Sequence, residues 1–468
     1  MRTYDLTGTG SDSLYQALYK QIRSDILQGN LKPGEKLPSK RALAANLGIS
    51  VITVENAYAQ LISEGYLYAL PKRGFYVSDF KAHVTAPARV LPQKSARPSE
   101  KSPRYLADFS SNQTESELFP FTLWSRVIRD LLNDSRVQLM TNSPCGGIAE
   151  LRQRIAGHLR DFRGMNVRPE QIIIGAGTEY LYGLLIQLLG RDKIYAIENP
   201  GYRKLADIYQ SCGVRCEWID MDESGVCVSS LEQHQADILH ITPSHQYPTG
   251  IVMPISRRYE LMGWAAKAPG RFIIEDDYDS ELRLSGQPIP TLQSIDLSGR
   301  VIYMNTFTKT LCSTVRISYM VLPDGLLDAF YQKLSFYSCT VSNFEQYTLA
   351  RFIETGKFEA HLNRLRSHYR KKRDALLAAF RRSPLAEHIE LSGEEAGLHF
   401  LMSLRTPLEQ QTVMERAQAR GIRLLPLSRY YFGQPPVQNV YIMNYSSLDV
   451  QLADEIAARL YESASMSK

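Results

Sequence analysis

The stretch "RVIYMNTFTKTLCSTVRISY", residues 300–319, joins a short apolar run to a polar turn that carries Lys309 and Arg316. Its first half is rich in β-branched and aromatic residues, which is typical of a strand buried on both faces. Hydroxyl side chains at Thr306 and Thr308 precede the lysine and flank it closely. The stretch therefore predicts a buried strand whose carboxyl end presents a lysine, two hydroxyl groups and an arginine to one site.

Four further runs of the same kind precede it, separated by amphipathic stretches such as "YLYGLLIQLLG" (180–190). They are "QIIIGAG" (171–177), "KIYAIENP" (193–200), "ADILHITPS" (236–244) and "RFIIEDDY" (271–278). This alternation predicts an α/β large lobe, spanning about 130–325, with parallel strands covered by helices on both faces. From about residue 325 the pattern becomes helical and then returns to strands, which predicts a smaller C-terminal α+β lobe over about 326–468.

The bulk composition fits a multidomain globular protein. The 468 residues are 44% hydrophobic and 22% charged, with a net charge of +5, and a chain of this length is expected to form two or three domains. No apolar run reaches the roughly 18 residues of a membrane helix, and the N-terminus has no signal-peptide core, so we expect no membrane partner and a cytoplasmic location. The six cysteines lack metal-ligand spacing, which favours reduced thiols and no metal site.

Residues 10–80 have the pattern of a separate small module. A helix is predicted from about Leu14 to Gln28, ending at Gly29, and Ser39 and Ser50 are predicted N-caps of two further helices. A short helix, a glycine turn and a longer helix form a helix-turn-helix, whose second helix can enter the major groove of DNA. The alternating stretch "LYALPKRGFYV" then predicts a β-hairpin wing with Lys72, Arg73 and Gly74 at its tip.

A linker over 81–106 separates this module from the body. Residues 81–104 contain four prolines and six Lys or Arg against one acid, Glu100. Such a composition cannot bury enough apolar surface to fold, so the segment is predicted to be extended. Its positive charge can interact with a phosphate backbone.

The spacing of Gly, Pro, Leu, Ser, Arg and Thr through the module closely resembles the GntR winged-helix family. That resemblance implies binding of double-stranded DNA, with Arg41 on a base or phosphate. Ser39, Ser50 and Thr53 would contact the DNA backbone, and the wing would reach the minor groove. The family often has arginine at the place of Val51, so base reading here is expected to depend on Arg41 and on a thymine-methyl contact from Val51.

In the body, the strand-end residues together match the needs of pyridoxal 5'-phosphate (PLP). A lysine that bonds the PLP aldehyde needs a phosphate site and a carboxylate for the pyridine nitrogen nearby. Asp276 supplies the carboxylate, Tyr278 a hydroxyl for the ring oxygen, and Tyr202 an aromatic ring to stack on the cofactor. The predicted phosphate ligands come from a strand-to-helix turn and from the lysine segment: Ala176, Gly177, Thr178, Thr306, Thr308 and Arg316.

From about residue 107 onward these motifs resemble fold-type I aminotransferases of class I, which implies that Lys309 forms the internal aldimine. The winged helix, linker and aminotransferase-like body in one chain resemble the MocR family of bacterial regulators, including the GabR type. Enzyme relatives often have asparagine at the place of Tyr247, so the ring-oxygen contact is expected to fall chiefly to Tyr278. The resemblance also implies a head-to-tail homodimer.

The stretch "NVYIMNYSSL" (439–448) lacks the arginine with which enzymes of this fold hold a substrate carboxylate. Arg203, Lys204, Arg423 and Arg429 are candidate substitutes by position.

We therefore predict a PLP-dependent transcriptional regulator that senses a small amine, an amino acid or PLP through Lys309, without net catalysis beyond a partial half-reaction. Two alternatives stay open: an active aminotransferase with an appended DNA-binding domain, and a regulator that responds to PLP level alone. The effector, the operator, the regulated genes and the sign of regulation are not determined by the sequence.

Overall fold

The computed structural model describes Tyr4, Leu6 and residues 13–79, 105–111, 114–286, 289–433 and 437–465. The chain divides into two compact units, Met1–Lys101 and Ser102–Lys468. Most of the predicted linker, 81–104, lies outside the described residues. No helix in the described ranges is both long enough and apolar enough to cross a membrane. All six cysteines are free thiols.

The N-terminal unit is a winged helix-turn-helix built from three helices and a three-stranded antiparallel sheet of order β1-β3-β2. Its elements are α1 (Leu14–Gln28), β1 (Lys36–Leu37), α2 (Lys40–Leu47), α3 (Val51–Ser63), β2 (Leu67–Leu70) and β3 (Gly74–Val77). The predicted helix starts are confirmed, because Ser39 Oγ accepts from Ala42 N–H at 3.2 Å and Ser50 Oγ from Thr53 N–H at 3.1 Å. Gly29 ends α1 in the left-handed region at φ 79°, where glycine has no Cβ to clash.

The C-terminal unit begins with a short strand and then builds the large lobe. Its elements up to residue 354 are β4 (Ala107–Asp108), α4 (Phe121–Asp134), α5 (Arg136–Met140), α6 (Ala149–Arg163), β5 (Ile172–Gly175), α7 (Thr178–Leu189), β6 (Ile194–Asn199), α8 (Arg203–Ser211), β7 (Arg215–Asp222), β8 (Gly225–Val226), α9 (Val228–Gln233), β9 (Ile238–Ile241), α10 (Ile255–Ala266), β10 (Phe272–Asp276), α11 (Leu292–Ile295), β11 (Val301–Thr306), β12 (Ser318–Val321), α12 (Asp324–Leu334) and α13 (Asn343–Glu354).

The large-lobe sheet is mixed. The five strands predicted from the sequence, β5, β6, β9, β10 and β11, run in one direction, as the pattern predicted, whereas β12 was not predicted. The eight strands of the sheet have the order β5-β12-β11-β10-β9-β6-β7-β8, and β12 runs antiparallel to both of its neighbours, β11 and β5. The physical reason is the connection between β11 and β12, residues 307–317, which contains no helix. A parallel return needs a longer crossover, usually helical, so the chain reverses direction and places the lysine turn at the end of β11.

The small lobe contains a three-stranded antiparallel sheet, order β13-β14-β16, packed with long helices. Its elements are α14 (Lys357–Arg382), β13 (Ile389–Ser392), β14 (His399–Leu404), α15 (Gln410–Ala419), β15 (Ile422–Arg423), β16 (Val440–Asn444) and α16 (Ala453–Ala464). Helix α12 packs on α7, and α13 packs on α4 and α6. Strand β4, near the start of the unit, pairs with β15 of this lobe, and the predicted lobe boundary near residue 326 stays a prediction.

Strands β9, β10 and β11 are parallel neighbours, so their carboxyl ends lie at one edge of the sheet. Helix α7, which starts at Thr178, follows directly from the end of β5. Side chains distant in sequence therefore converge where the ligands of such sheets bind. This edge contains the polar residues singled out by the sequence pattern.

Candidate cofactor and nucleic-acid sites

A cavity of about 310 Å³ lies at the carboxyl ends of these strands. Its wall contains every predicted cofactor residue except Ala176: Gly177, Thr178, Tyr202, Tyr247, Asp276, Tyr278, Thr306, Thr308, Lys309 and Arg316. Ala176 is adjacent, since its carbonyl oxygen accepts from Arg316 Nη2 at 3.4 Å. The fold thus brings together residues that span 140 positions of the chain.

The Asp276 carboxylate is held rigidly by one oxygen while its other oxygen has no partner. Tyr182 Oη donates to Asp276 Oδ2 at 2.7 Å, and His240 Nε2 lies 3.6 Å from the same oxygen. His240 is fixed in turn by Tyr209, with 2.7 Å between Tyr209 Oη and His240 Nδ1. Asp276 Oδ1 is buried and has no hydrogen-bond partner among the described residues. A buried carboxylate oxygen without a partner is costly, and a protonated pyridine nitrogen is the kind of group that would satisfy it.

Lys309 lies partly buried in the cavity wall, directly after β11. Loss of solvent lowers the pKa of its amine to about 8, and the negative charge of Asp279 opposes that shift. Burial disfavours the charged ammonium form. A larger fraction of Lys309 is therefore the neutral, nucleophilic amine near neutral pH than for a solvated lysine.

The start of α7 and the lysine turn form an anion-binding cradle. Gly177 has a φ of +92°, a conformation that residues with a Cβ rarely adopt, and a Cβ built there would lie 2.3 Å from Arg316 Nη2. Thr306 Oγ1 lies 2.8 Å from Thr308 Oγ1, and Ser318 Oγ donates to Thr306 Oγ1 at 2.8 Å. Thr306 and Thr308 line the same cavity as Gly177 and Thr178 at the amino terminus of α7, where backbone N–H groups favour a phosphate.

One acidic residue near this cradle was missed by the sequence reasoning. Glu179 Oε2 lies 3.7 Å from Arg316 Nη2, and Glu179 also forms an ion pair with Lys204. Both cations lie close to Glu179 because it occupies the first turn of α7. Its position directly after Thr178 was the only sequence signal.

The aromatic wall differs in detail from the prediction. The Tyr278 hydroxyl lies 3.2 Å from His245 Nδ1, which also lies 2.8 Å from Asp279 Oδ2. Tyr247 Oη lies 2.8 Å from Tyr430 Oη. The contact with the ring oxygen of the cofactor, which is expected chiefly from Tyr278, stays a prediction. Tyr182, His240 and His245 were missed. The spacing of Thr178 and Tyr182, one helical turn apart, would have placed both on one face of α7.

The candidate effector residues fall into three places. Lys204 lines the 310 Å³ cavity. Arg203 and Arg429 line a separate cavity of about 130 Å³, beside the stacked rings of Trp218 and Phe432, whose centroids are 5.5 Å apart. Arg423 lies elsewhere, with its Nη1 3.4 Å from Asp108 Oδ2.

In the N-terminal unit the predicted DNA-binding residues lie at three places. Ser39 and Arg41 are at the start of α2, while Ser50, Val51 and Thr53 are at the start of α3. Lys72, Arg73 and Gly74 form the turn between β2 and β3, with Lys72 at φ 60° and Gly74 at φ 113°. Arg41, Lys72 and Arg73 are exposed. The arrangement presents a helix terminus and a basic wing, as a winged-helix reader of DNA requires.

Comparison with known proteins agrees with this division. Residues 14–77 match the family described as bacterial regulatory proteins, gntR family. The HTH-type transcriptional regulator YdeL of Bacillus subtilis is 39% identical over 431 residues, covering 91% of this chain and 92% of the relative. The probable rhizopine catabolism regulatory protein MocR of Rhizobium meliloti is 32% identical over 449 residues, covering 93% and 90%. The chain belongs to the MocR family of transcriptional regulators.

Two further matches concern another transcriptional regulator and the fold of the body. The pyridoxine biosynthesis transcriptional regulator PdxR of Corynebacterium glutamicum is 30% identical over 454 residues, covering 97% of this MocR-family chain and 96% of the relative. A multiple substrate aminotransferase from Thermococcus profundus aligns with a TM-score of 0.68 and 23% identity, over 79% of this chain and 95% of that one. The body therefore has the aminotransferase fold.

Proposed function

We propose that this MocR-family regulator binds operator DNA through its N-terminal unit and holds PLP at Lys309, where a small amine or amino acid acts as effector. The observation that carries the cofactor part is the Asp276 carboxylate, with Oδ2 fixed by Tyr182 and Oδ1 buried without a partner. Lys309 and the Gly177–Arg316 cradle line the same cavity and complete a set that fits PLP.

When bound, PLP supplies an aldehyde that condenses with amines and a ring that withdraws electrons. Four of the chain's own residues would hold it at three points. Lys309 would hold the aldehyde carbon, Asp276 the ring nitrogen, and Thr178 with Arg316 the phosphate. The lowered pKa of Lys309 supports this role, because only a neutral amine attacks a carbonyl carbon.

The cavity supports recognition of an amine better than turnover. All five residues of β16 are buried and none is an arginine. The Asn444 side chain is engaged locally, since its Oδ1 accepts from Ser446 N–H at 3.0 Å and from Ser446 Oγ at 2.6 Å. No guanidinium from this strand is available for a bidentate carboxylate clamp. Poor orientation of a substrate costs orders of magnitude in rate even when the reactive groups are present.

Three cations are the candidate contacts for an acidic group of the effector. Lys204 is inside the cavity, and Arg203 and Arg429 line the neighbouring 130 Å³ cavity. Tyr430 lines that second cavity and contacts Tyr247 of the first, with 2.8 Å between their hydroxyl oxygens. An effector that binds one arrangement of these residues better than another would shift the regulator between states.

A homodimer, expected to be head-to-tail, is also part of the proposal. A cleft of about 570 Å³ lies beside Arg316 and contains Phe119, Phe121 and Trp124. Phe121 is 65% exposed, and Met140 on the following helix is 79% exposed. Exposed apolar side chains of this size commonly mark an interface. Phe121→Asp should lower the dimer fraction measured by sedimentation, while Leu297→Asp, at another exposed site, should not.

The test of function is a single-turnover reaction of the PLP-loaded protein with a panel of amines and amino acids. The visible spectrum, released keto acid and operator affinity are followed together. We expect at least one amine to change the spectrum and operator affinity without steady keto-acid release. Turnover faster than about 1 s⁻¹, the low end of typical enzyme rates, would favour an aminotransferase with an added DNA-binding unit. A change in operator affinity with PLP but with no amine would favour a PLP-level sensor.

A further inference from the structure

One face of α3 is exposed along its whole length and carries almost no charge. It consists of Val51, Ile52, Glu55, Asn56 and Ala59, all exposed. The opposite face, with Val54, Ala57, Tyr58 and Leu61, is buried in the core of the unit. Ile52 is 68% exposed and Val51 41% exposed. A helix that faces only solvent usually presents charged or polar residues there, so this face is suited to contact another surface.

The single charge on this face is already compensated within the unit. Glu55 Oε1 lies 2.6 Å from Lys40 Nζ, and Lys40 Nζ also lies 5.4 Å from the centroid of the Phe75 ring. What remains at the exposed surface is two branched aliphatic side chains, one amide and one methyl group. None of these groups neutralises a phosphate.

Positive charge lies beside this face rather than on it. Arg41 is exposed on α2, and Lys72 and Arg73 are exposed at the wing tip. Lys36 on β1 reaches the same wing, with its Nζ 6.0 Å from the centroid of the Tyr76 ring. These cations can neutralise DNA phosphates on either side of a groove. The near-neutral face of α3 can then approach the base edges.

The chemistry of the face selects among base pairs. Arginine and lysine recognise guanine, glutamate accepts from cytosine, asparagine pairs with adenine, and apolar side chains contact the thymine methyl group. No arginine or lysine is among the five exposed residues, and Glu55 is paired with Lys40. Among the remaining residues, Ile52 and Val51 are suited to contact the thymine methyl group, and Asn56 is suited to pair with adenine.

We propose that α3 reads thymine–adenine base pairs, with Ile52 and Val51 against thymine methyl groups and Asn56 on the N6 and N7 edge of adenine. This inference rests on the proposed DNA binding by the N-terminal unit. It adds to that proposal the kind of base pair that is recognised, and it assigns roles to Ile52 and Asn56. Val51 shares the methyl contact because it lies beside Ile52 in the first turn of the helix.

The first experiment selects binding sites from random duplexes with the full-length protein, with and without PLP. We expect an enriched site in which each half carries adjacent thymine–adenine pairs. Enrichment of guanine–cytosine pairs at the positions protected by α3 would overturn the inference while leaving DNA binding intact. Failure to enrich any sequence under either condition would contradict the DNA-binding proposal itself.

The second experiment removes single groups from the selected site. Replacing a contacted thymine with uracil removes only the methyl group and should weaken wild-type binding about fourfold, the effect of one buried methylene-sized group. Replacing a contacted adenine with 7-deazaadenine removes N7 and should weaken it about fivefold, the effect of one hydrogen bond. Ile52→Ala should be less sensitive to uracil than the wild type, because only Val51 still contacts the methyl group, and Asn56→Ala should be insensitive to 7-deazaadenine.

The controls separate base reading from loss of fold. Leu14→Ala removes a similar aliphatic side chain, 46% exposed at the start of α1, and should keep both sensitivities. Uracil placed outside the selected site should have no effect on any variant. If Ile52→Ala stays as sensitive to uracil as the wild type, or the wild type binds uracil and thymine sites equally, the inference is wrong.

Discussion

The exposed face of α3 and the Lys309 cavity place their functional groups in opposite environments. The outward side chains of α3 extend into solvent, whereas its inward side chains belong to a hydrophobic core of about a dozen residues. In the cavity Asp276 is 8% exposed, accepts a hydrogen bond from Tyr182 and has His240 Nε2 at 3.6 Å. A surface that meets DNA is desolvated only when the DNA binds. A buried carboxylate has lost its water already and needs fixed partners.

This difference determines how a substitution acts at each place. A change on α3 should alter affinity for DNA and leave the fold intact, because the exposed side chains contribute little packing. A change in the cavity removes one member of a connected set, so its neighbours lose a partner as well. The five predictions below test this contrast, beginning with the largest expected effect.

Lys309→Ala should abolish covalent trapping of PLP by borohydride, because no other group would hold the aldehyde carbon. Peptide mapping after reduction locates the modified residue. Lys267→Ala is the matched control, since Lys267 is an exposed lysine whose Nζ lies 3.1 Å from Glu232 Oε1, and it should trap PLP normally. Recovery of the cofactor on another lysine, such as Lys204, would show that the site assignment is wrong.

Asp276→Asn should raise the dissociation constant for PLP at least about 100-fold, because removing one charge of a buried ion pair is strongly destabilising. The constant is measured by titrating apoprotein with PLP and following cofactor absorbance. Asp328→Asn changes an exposed carboxylate on α12 and should leave the constant unchanged. Equal affinity of the Asp276 variant and the wild type would break the contrast between buried and exposed sites.

Arg41→Ala should weaken binding of the selected operator by roughly 5- to 150-fold, the range of a good base contact. Affinity is measured as a function of salt on the operator and on an unrelated duplex. A phosphate contact would weaken both duplexes and lower the salt slope by about one, whereas a base contact would affect only the operator. Arg23→Ala on α1 removes a cation whose Nε donates to Tyr66 Oη at 3.1 Å, and it should behave as the wild type on both duplexes.

The rate of PLP attachment should rise about tenfold per pH unit up to about pH 8 and then level off. The sign follows from the lowered pKa of Lys309, about 8, because the fraction of neutral amine grows as pH rises through that value. Stopped-flow absorbance of apoprotein mixed with PLP measures the rate, with a free lysine derivative as reference. A rate that keeps rising beyond pH 9, as for the reference, would contradict the effect of burial.

Tyr182→Phe should weaken PLP binding about fivefold, the smallest effect of the set, because it removes one hydrogen bond to Asp276. The same absorbance titration measures it. In the Asp276→Asn background the tyrosine change should have a smaller effect, since the carboxylate that it supports is gone. Full additivity of the two changes would show that Tyr182 does not act through Asp276.

Local patterns predicted the N-terminal unit well because its signals are short-range. The capping serines Ser39 and Ser50 and the helix-ending Gly29 act within a few residues of their own positions. The periodicity of α3, with Val54, Ala57, Tyr58 and Leu61 inward, also gives the outward face directly. Ile52 and Asn56 lie on that outward face but were not among the predicted DNA contacts.

The sequence by itself indicated the candidate lysine, the candidate carboxylate and the buried strands that carry them, because buried strands and their polar ends are visible as local patterns. Only the tertiary structure decided the reversed direction of β12, the hydrogen bond from Tyr182 to Asp276, and the pairing of Glu179 with Arg316 and Lys204. Each of these depends on side chains or strands far apart in the chain. Distances between such groups are set when the sheet closes and its helices pack, since no local preference encodes them.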